Sequence, residues 1–298
     1  MDPDRLCVIC NSGSGRTSRE SDAVEAAMRV LGPRAKLWRV AGRDLDDAGA
    51  EAVARGFGGI VAAGGDGTVM AVAGAVARSG RRFGVIPLGT FNYFARGLGI
   101  PEDPEGAARV VLAGHARAVP VGEVNGRVFL NNISLGVYPA ILRAREDVYR
   151  RWGRRRLAAH WSTAKTMLRF QRPLHLTLGI DDAQVRVRTP LLFVARSAYQ
   201  LDTFALAGSD CVASGRLAVF VAPDAGPVAM LGKAWHLARR AMQEGRDFDL
   251  HCGEAVTVWA RSRHLTVACD GEKFRMKVPL RLRMLDDALQ VFAPEAAP

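Results

Sequence analysis

The run GIVAAGGDGTV at Gly59–Val69 decides how the chain is read. An apolar stretch, Ile60 to Ala63, leads straight into Gly64, Gly65, Asp66, Gly67 and Thr68, after which Val69, Val72, Ala73 and Val76 recur on one helical face. That order predicts strand, tight turn and helix. Glycines remove the Cβ atoms that would hold a phosphate away from the backbone, and the unpaired N–H groups of a helix start point at whatever sits there. A carboxylate in such a seat repels phosphates unless a cation or a shared proton lies between them. The loop therefore points to a nucleotide, magnesium and a working carboxylate, although taken alone a Gly-Gly-Asp-Gly turn is more often structural.

Working outward, the same unit recurs. Leu6 to Cys10 reads as a strand, followed by the small-residue turn Asn11, Ser12, Gly13, Ser14, Gly15 and the cation Arg16. A helix follows from Ser21 to Leu31, then a strand over Lys36 to Val40 and a helix over Ala48 to Arg55. Phe83 to Ile86 is a further strand, with PLGTFNYFARGLGIP after it as a loop and short helix, and Asp103-Pro104 opens a helix that Gly114 stops. Alternation at this spacing predicts a parallel sheet with helices on both faces and its glycine turns at the strand C-termini, the edge where such sheets bind ligands.

Past Gly114 the pattern becomes antiparallel. Val121–Val124 and Arg127–Ile133 flank Asn125-Gly126, a two-residue hairpin signal, and Leu174–Ile180 and Ala183–Arg188 flank Asp181-Asp182. Leu191–Ala195, Arg216–Ala222, Glu254–Ala260, His264–Cys269 and Phe274–Leu282 continue as strands, with one helix near Val228–Gln243. The fold expected is thus α/β in two domains: residues 1–121, to which 286–298 return through a strand at Leu289–Ala293, and a mainly antiparallel β-sandwich over 122–285.

Composition narrows the class. At 298 residues there is room for two domains with proper cores. No apolar run is long enough to span a bilayer, and the Met-Asp-Pro-Asp start lacks a signal peptide's features, so a soluble cytoplasmic protein is expected. Five cysteines without framework spacing suit a reducing compartment. Cys7 and Cys10 read as buried strand thiols, since no second pair completes a zinc site. The net charge of +11 calls for an anionic partner. Much of it lies in the basic helical segment 139–172, where Arg151, Arg154, Arg155 and Arg156 are interleaved with Tyr149, Trp152 and Trp161. Such a segment suits an anionic membrane surface or, more plainly, a solvated helical face. It carries no nucleic-acid module, and no nucleic-acid partner is expected.

Three stretches together, NSGSG at Asn11–Gly15, GGDGTV at Gly64–Val69 and PLGTFNYFARGLGIP at Pro87–Pro101, resemble the catalytic domain of diacylglycerol kinase-like lipid kinases, a group that includes sphingosine and ceramide kinases. The resemblance continues through VGEVNGRVFLNNISLGVYP, GRLAVFV and the run Asp270-Gly271-Glu272. It implies a nucleotide-binding domain akin to NAD kinase and phosphofructokinase, a β-sandwich lipid domain, and an active site in the cleft between them. It places ATP phosphates at Asn11, Ser12, Gly13, Ser14 and Gly15 and at Gly64, Gly65, Asp66, Gly67, Thr68 and Val69, with Thr90 and Asn92 completing the nucleotide site. It makes Glu272 the proton acceptor with Asp270 beside it, and has Asp66 act through catalytic magnesium or on the nucleophile. Read without the resemblance, Asp270-Gly271 is more readily the tight turn of a hairpin.

Tyr93, Pro120, Ala213 and Ser214 depart from the family pattern: the resemblance implies an acidic residue or histidine at Tyr93, an aspartate at Pro120 and an aspartate in the Ala213-Ser214 segment, so the case for a structural magnesium is weakened. The expectation is a kinase that transfers the γ-phosphate of ATP to a lipid hydroxyl at the inner face of the membrane. A nucleotide- or lipid-binding regulatory protein without catalysis, and a soluble-substrate kinase related to NAD kinase, remain open.

Overall fold

The computed structural model describes residues 5–12, 18–136 and 173–295. The chain divides into two units, Met1–Gly122 with Gly126–Leu130 and Leu285–Pro298, and Glu123–Asn125 with Asn131–Met284.

The first unit alternates strand and helix. Its elements are β1 (Leu6–Asn11), α1 (Ser18–Leu31), β2 (Ala35–Val40), α2 (Leu45–Ala54), β3 (Gly59–Gly64), α3 (Asp66–Val76), β4 (Arg82–Pro87), α4 (Tyr93–Gly97), α5 (Pro104–Ala113), β5 (Ala116–Val124) and β6 (Arg127–Phe129). β2, β1, β3 and β4 are parallel neighbours in that order. The final strand, β16 (Leu280–Phe292), adds to β4 in parallel through Gln290 and Val291. Strands buried on both faces must be apolar throughout, and β3 is fully buried from Gly59 to Gly64. α1 packs with α5 and α2 with α3, as expected when crossovers run in opposite directions from β1 and β3 but keep one hand. Asp103 caps α5 by accepting from the Gly106 amide, and Gly114 ends it in the left-handed region, so both sequence signals act as read. The Cys7 thiol, pushed up to about 12 chiefly by burial, is an inert strand residue.

The second unit holds β7 (Asn132–Gly136), β8 (Leu174–Ile180), β9 (Ala183–Thr189), β10 (Leu191–Ala195), β11 (Leu217–Val221), β12 (Asp249–Gly253), β13 (Ala255–Ala260), β14 (His264–Cys269) and β15 (Glu272–Lys277). The order β12-β11-β10-β7-β14-β15 makes one antiparallel sheet. The first residues of β16 pair antiparallel with β13, β13 with β8, and β8 with β9.

Four readings change here. Arg127–Ile133 is two strands in different sheets, because the chain breaks at Leu130 and Asn131 before β7 begins. Phe274–Leu282 likewise divides between β15 and β16 at Val278-Pro279, where proline has no N–H for the ladder. The single expected helix, over Val228–Gln243, ends earlier, at Pro227–Ala238, and short helices at Ala198–Thr203 and Ser209–Ala213 join it. Cys211 and Cys252 form a disulfide across a separation of 41 residues, a pairing their spacing did not announce.

Candidate functional site

The first unit's sheet turns back on itself at β1, since the chain goes from β1 to β2 on one side and then to β3 on the other. Open α/β sheets leave a crevice at the strand C-termini at that point. The two segments flanking it are Asn11-Ser12, at the end of β1, and Gly64–Val69, at the end of β3. Ser12 is anchored there, its amide and hydroxyl both donating to the Val40 carbonyl at 2.7 and 3.0 Å. The Asn11 side chain lies against Gly42. Gly13, Ser14 and Gly15 lie outside the described residues.

Close approach explains the glycines. A Cβ on Gly64 would come within 2.6 Å of the Thr68 side chain, and one on Gly89 within 2.7 Å of both the Gly65 Cα and the Asn92 Oδ1. The turns after β3 and β4 therefore touch backbone to backbone, and the Leu88 amide donates to the Gly64 carbonyl at 2.9 Å. Thr68 and Val69 are buried, and the Val69 amide already donates to the Gly65 carbonyl at 3.0 Å, so what this helix start can offer a ligand is the main-chain N–H of the residues before Val69. Thr90 is exposed. Asn92, placed by sequence among nucleotide contacts, has both ends of its amide engaged with Gly89, at 3.0 Å each, and closes the loop.

Asp66 opens α3, with Gly65 as N-cap. Its Oδ2 accepts from the Asn92 amide at 2.9 Å. Burial pushes its carboxyl above the ordinary aspartate range, and the amides of Asn92, Tyr93 and Phe94, with its own, offset that only in part. Those amides belong to the first turn of α4, so one carboxylate sits at the positive ends of two helices. No basic side chain contributes to this balance among the described residues.

In the second unit Asp270-Gly271 is the two-residue turn between β14 and β15, with both residues at positive φ and Cys269 paired with Glu272. The hairpin reading of that run is thus structurally right. The Asp270 Oδ1 also accepts from the Asn131 and Asn132 amides at 2.8 and 2.9 Å, which pins the turn to the start of β7. Glu272 is exposed at the first position of β15. Around the turn lies a buried polar group that sequence reasoning missed: Asn131, Asn132, Arg196 and Gln200. Burial pushes the Arg196 guanidinium down to about 10 against the pull of Asp270, and Asn132 Nδ2 donates to Gln200 Oε1 at 2.9 Å. The adjacent asparagines inside the apolar run VFLNNIS were the available signal. Arg151, Arg154, Arg155 and Arg156 lie outside the described residues.

Magnesium needs few protein ligands when phosphates supply the rest. Among the described residues Asp66 fits that donor set, because its carboxylate is half-buried and countered there only by amides. Among the described residues no three His, Cys, Asp or Glu side chains gather as a metal cage. No described helix is long and apolar enough to cross a membrane.

Residues 5–124, which carry the Gly64–Val69 turn and Asp66, match the diacylglycerol kinase catalytic domain. The resemblance seen in the motifs is therefore real over that stretch. Among curated relatives, a "Probable lipid kinase YegS-like" protein of Pseudomonas aeruginosa PAO1 is 43% identical over 136 residues, 44% of each chain. The diacylglycerol kinase of Bacillus subtilis strain 168 is 50% identical over 91 residues, 30% of each. This chain thus matches less than half the length of either relative. The fold extends further: the crystal structure of a diacylglycerol kinase from Bacillus anthracis str. Sterne superposes with a TM-score of 0.68 at 18% identity, over 99% of this chain and 98% of that one. A second structure from the same organism reaches 0.73 at 18%, over 99% of both chains.

Proposed function

We propose that the chain is an ATP-dependent lipid kinase that phosphorylates a lipid hydroxyl, with a diacylglycerol-like acceptor favoured by the names of its relatives and a long-chain base as the next choice. The observation that carries this is Asp66, a carboxylate held, among the described residues, by amides alone at the sheet's switch point, inside the stretch that matches the kinase family. In this reading the turns Asn11–Gly15 and Gly64–Val69 hold the ATP phosphates through their main-chain N–H groups, apart from those of Ser12 and Val69, which already donate to Val40 and Gly65. Asp66 and phosphate oxygens would hold magnesium, which supplies charge neutralisation. Glu272 takes the proton of the lipid hydroxyl as its oxygen bonds to the γ-phosphorus. The bond from that phosphorus to the β–γ bridging oxygen breaks, and ADP leaves. Asp270 holds the turn that carries Glu272. The Arg151–Arg156 cluster is proposed to dock on the anionic inner leaflet, and replacing Arg151, Arg154, Arg155 and Arg156 with Gln should release the protein from anionic vesicles with ATP binding intact.

The test is transfer of labelled γ-phosphate from ATP with magnesium into organic-extractable lipid from a mixed bacterial extract. Incorporation that Asp66→Asn and Glu272→Gln both abolish supports the assignment, and the labelled species identifies the acceptor. Full incorporation by Glu272→Gln would remove it as the base. ATP binding with no transfer to any lipid would favour a regulatory protein, a reading that draws on Tyr93, Pro120 and Ser214 as departures from the pattern the family resemblance implies.

A further inference from the structure

The second unit contains a cavity of about 630 Å³ that the kinase reading does not use. Its lining includes Glu123, Asn125, Lys277, Arg281, Leu282 and Arg283. Three cations against one carboxylate make it basic, and that carboxylate is committed: Glu123, itself buried, accepts from Arg283 Nε and pairs with its terminal nitrogen, both at 3.0 Å. Lys277 and Arg281 are exposed, and neither pairs with a carboxylate among the described residues.

These two cations stand at either end of a five-residue segment, Lys277–Arg281, that Asn125 straps from within. The Asn125 Nδ2 donates to the carbonyls of Lys277 at 2.9 Å and Pro279 at 3.2 Å. Its Oδ1 accepts from the Arg281 amide at 2.8 Å, and its own amide donates to the Arg281 carbonyl at 3.0 Å. Asn125 does this from a left-handed conformation, φ 48°, at the hairpin turn. Surface cations on a loose loop would pay rotamer and backbone entropy to converge on one anion, whereas here the backbone carrying them is already fixed. Val278, Pro279 and the buried Leu282 give the cavity an apolar side next to its charges.

We infer that this cavity is a binding site for a phosphate ester, whose oxyanion is taken by Lys277 and Arg281 and whose organic part lies on Val278, Pro279 and Leu282. Guanidinium and ammonium donors suit phosphate oxygens, and the apolar side favours an ester over bare phosphate. The inference is independent of the kinase assignment. It concerns binding alone.

The experiment titrates the full chain calorimetrically with glycerol 3-phosphate and with inorganic phosphate. In parallel, the chain is sedimented with phosphatidylcholine vesicles that contain or lack phosphatidic acid, which presents the same monoester on a lipid. Binding of the soluble ester alone identifies a free metabolite, binding of the vesicles alone a headgroup, and either sustains the site provided the variants respond as follows. The double variant Lys277→Gln/Arg281→Gln should weaken binding at least about tenfold. Asn125→Gly, which keeps the left-handed turn and every charge but removes the strap, should weaken it several-fold. Arg186→Gln, an exposed cation on β9, should leave it unchanged. Binding of no probe, wild-type affinity in the double variant or in Asn125→Gly, or an Arg186→Gln effect as large as the double variant's would each overturn the proposal.

Discussion

Two carboxylates withdrawn from solvent, Asp66 in the first unit and Asp247 in the second, have opposite surroundings. Asp247 lies in the turn just before β12 and is met by Arg246 at 2.6 and 3.0 Å, by the His236 Nδ1 at 2.9 Å, and by Lys233, whose ammonium donates to the Asp247 main-chain carbonyl at 3.0 Å. Burial pushes its carboxyl up, but Arg246, His236 and the Gln243 amide outweigh that and hold it well below the usual range. Asp66 is half-buried, among the described residues only amides answer it, and its carboxyl stays above the usual range. A structural carboxylate is one the fold has already neutralised. A carboxylate left short of positive charge at a sheet's ligand edge is the one available to an incoming cation or proton.

The largest effect expected from this contrast is on turnover. Asp66→Asn should lower phosphoryl transfer by about 10²–10³-fold in initial-rate assays with little change in urea midpoint, while Asp247→Ala should leave the rate per folded molecule unchanged. Stability should show the reverse. Asp247→Ala removes one acceptor from Arg246, His236 and the Gln243 amide together and, with Arg246 and His236 still reached by solvent, should cost about 2–3 kcal/mol by urea unfolding. Equal stability losses in the two variants would erase the distinction. Gly89→Ala is a smaller perturbation, driving a methyl into Gly65 and Asn92 for about 1–3 kcal/mol, and it should disturb ATP binding although residue 89 carries no side chain of its own.

The subtlest test is pH. Asp247 is more acidic folded than unfolded, so the unfolded chain binds more protons there. Its stabilisation is present at neutral pH and is lost as pH falls below the ordinary aspartate range. Asp66 is less acidic folded than unfolded, so its contribution runs the other way: full below the ordinary value, lost as pH rises through its raised one. If transfer needs Asp66 ionised, the acid limb of kcat/KM should lie above the ordinary aspartate range. Asp247→Asn should leave that limb in place.

Why some of this was legible and some not follows from where the partners lie. The strand, turn and helix at Gly59–Val76 are written in adjacent residues, as are the Asp103 cap and the Asn125-Gly126 turn, and each reads correctly. The donors to Asp66 come from residues 92–94, and those to Asp270 from Asn131 and Asn132. No local pattern reports such contacts. The loop-closing bonds of the Asn92 side chain to Gly89 were not legible for the same reason. Asp270-Gly271 illustrates a further point: the turn reading and a site reading do not compete, because a turn that positions the next residue serves both. The asparagine strap on Lys277–Arg281 spans more than 150 positions and was invisible in the sequence.

β16 has a consequence for how the protein is made. Its last residues complete the first unit's sheet beside β4, yet about two hundred residues separate Pro87 from that partner. At a synthesis rate of about 5–20 residues per second, β4 leaves the ribosome about 10–40 s before β16 can join it. During that interval its outer edge, apolar from Phe83 to Ile86, is a nascent-chain surface that a chaperone would have reason to cover.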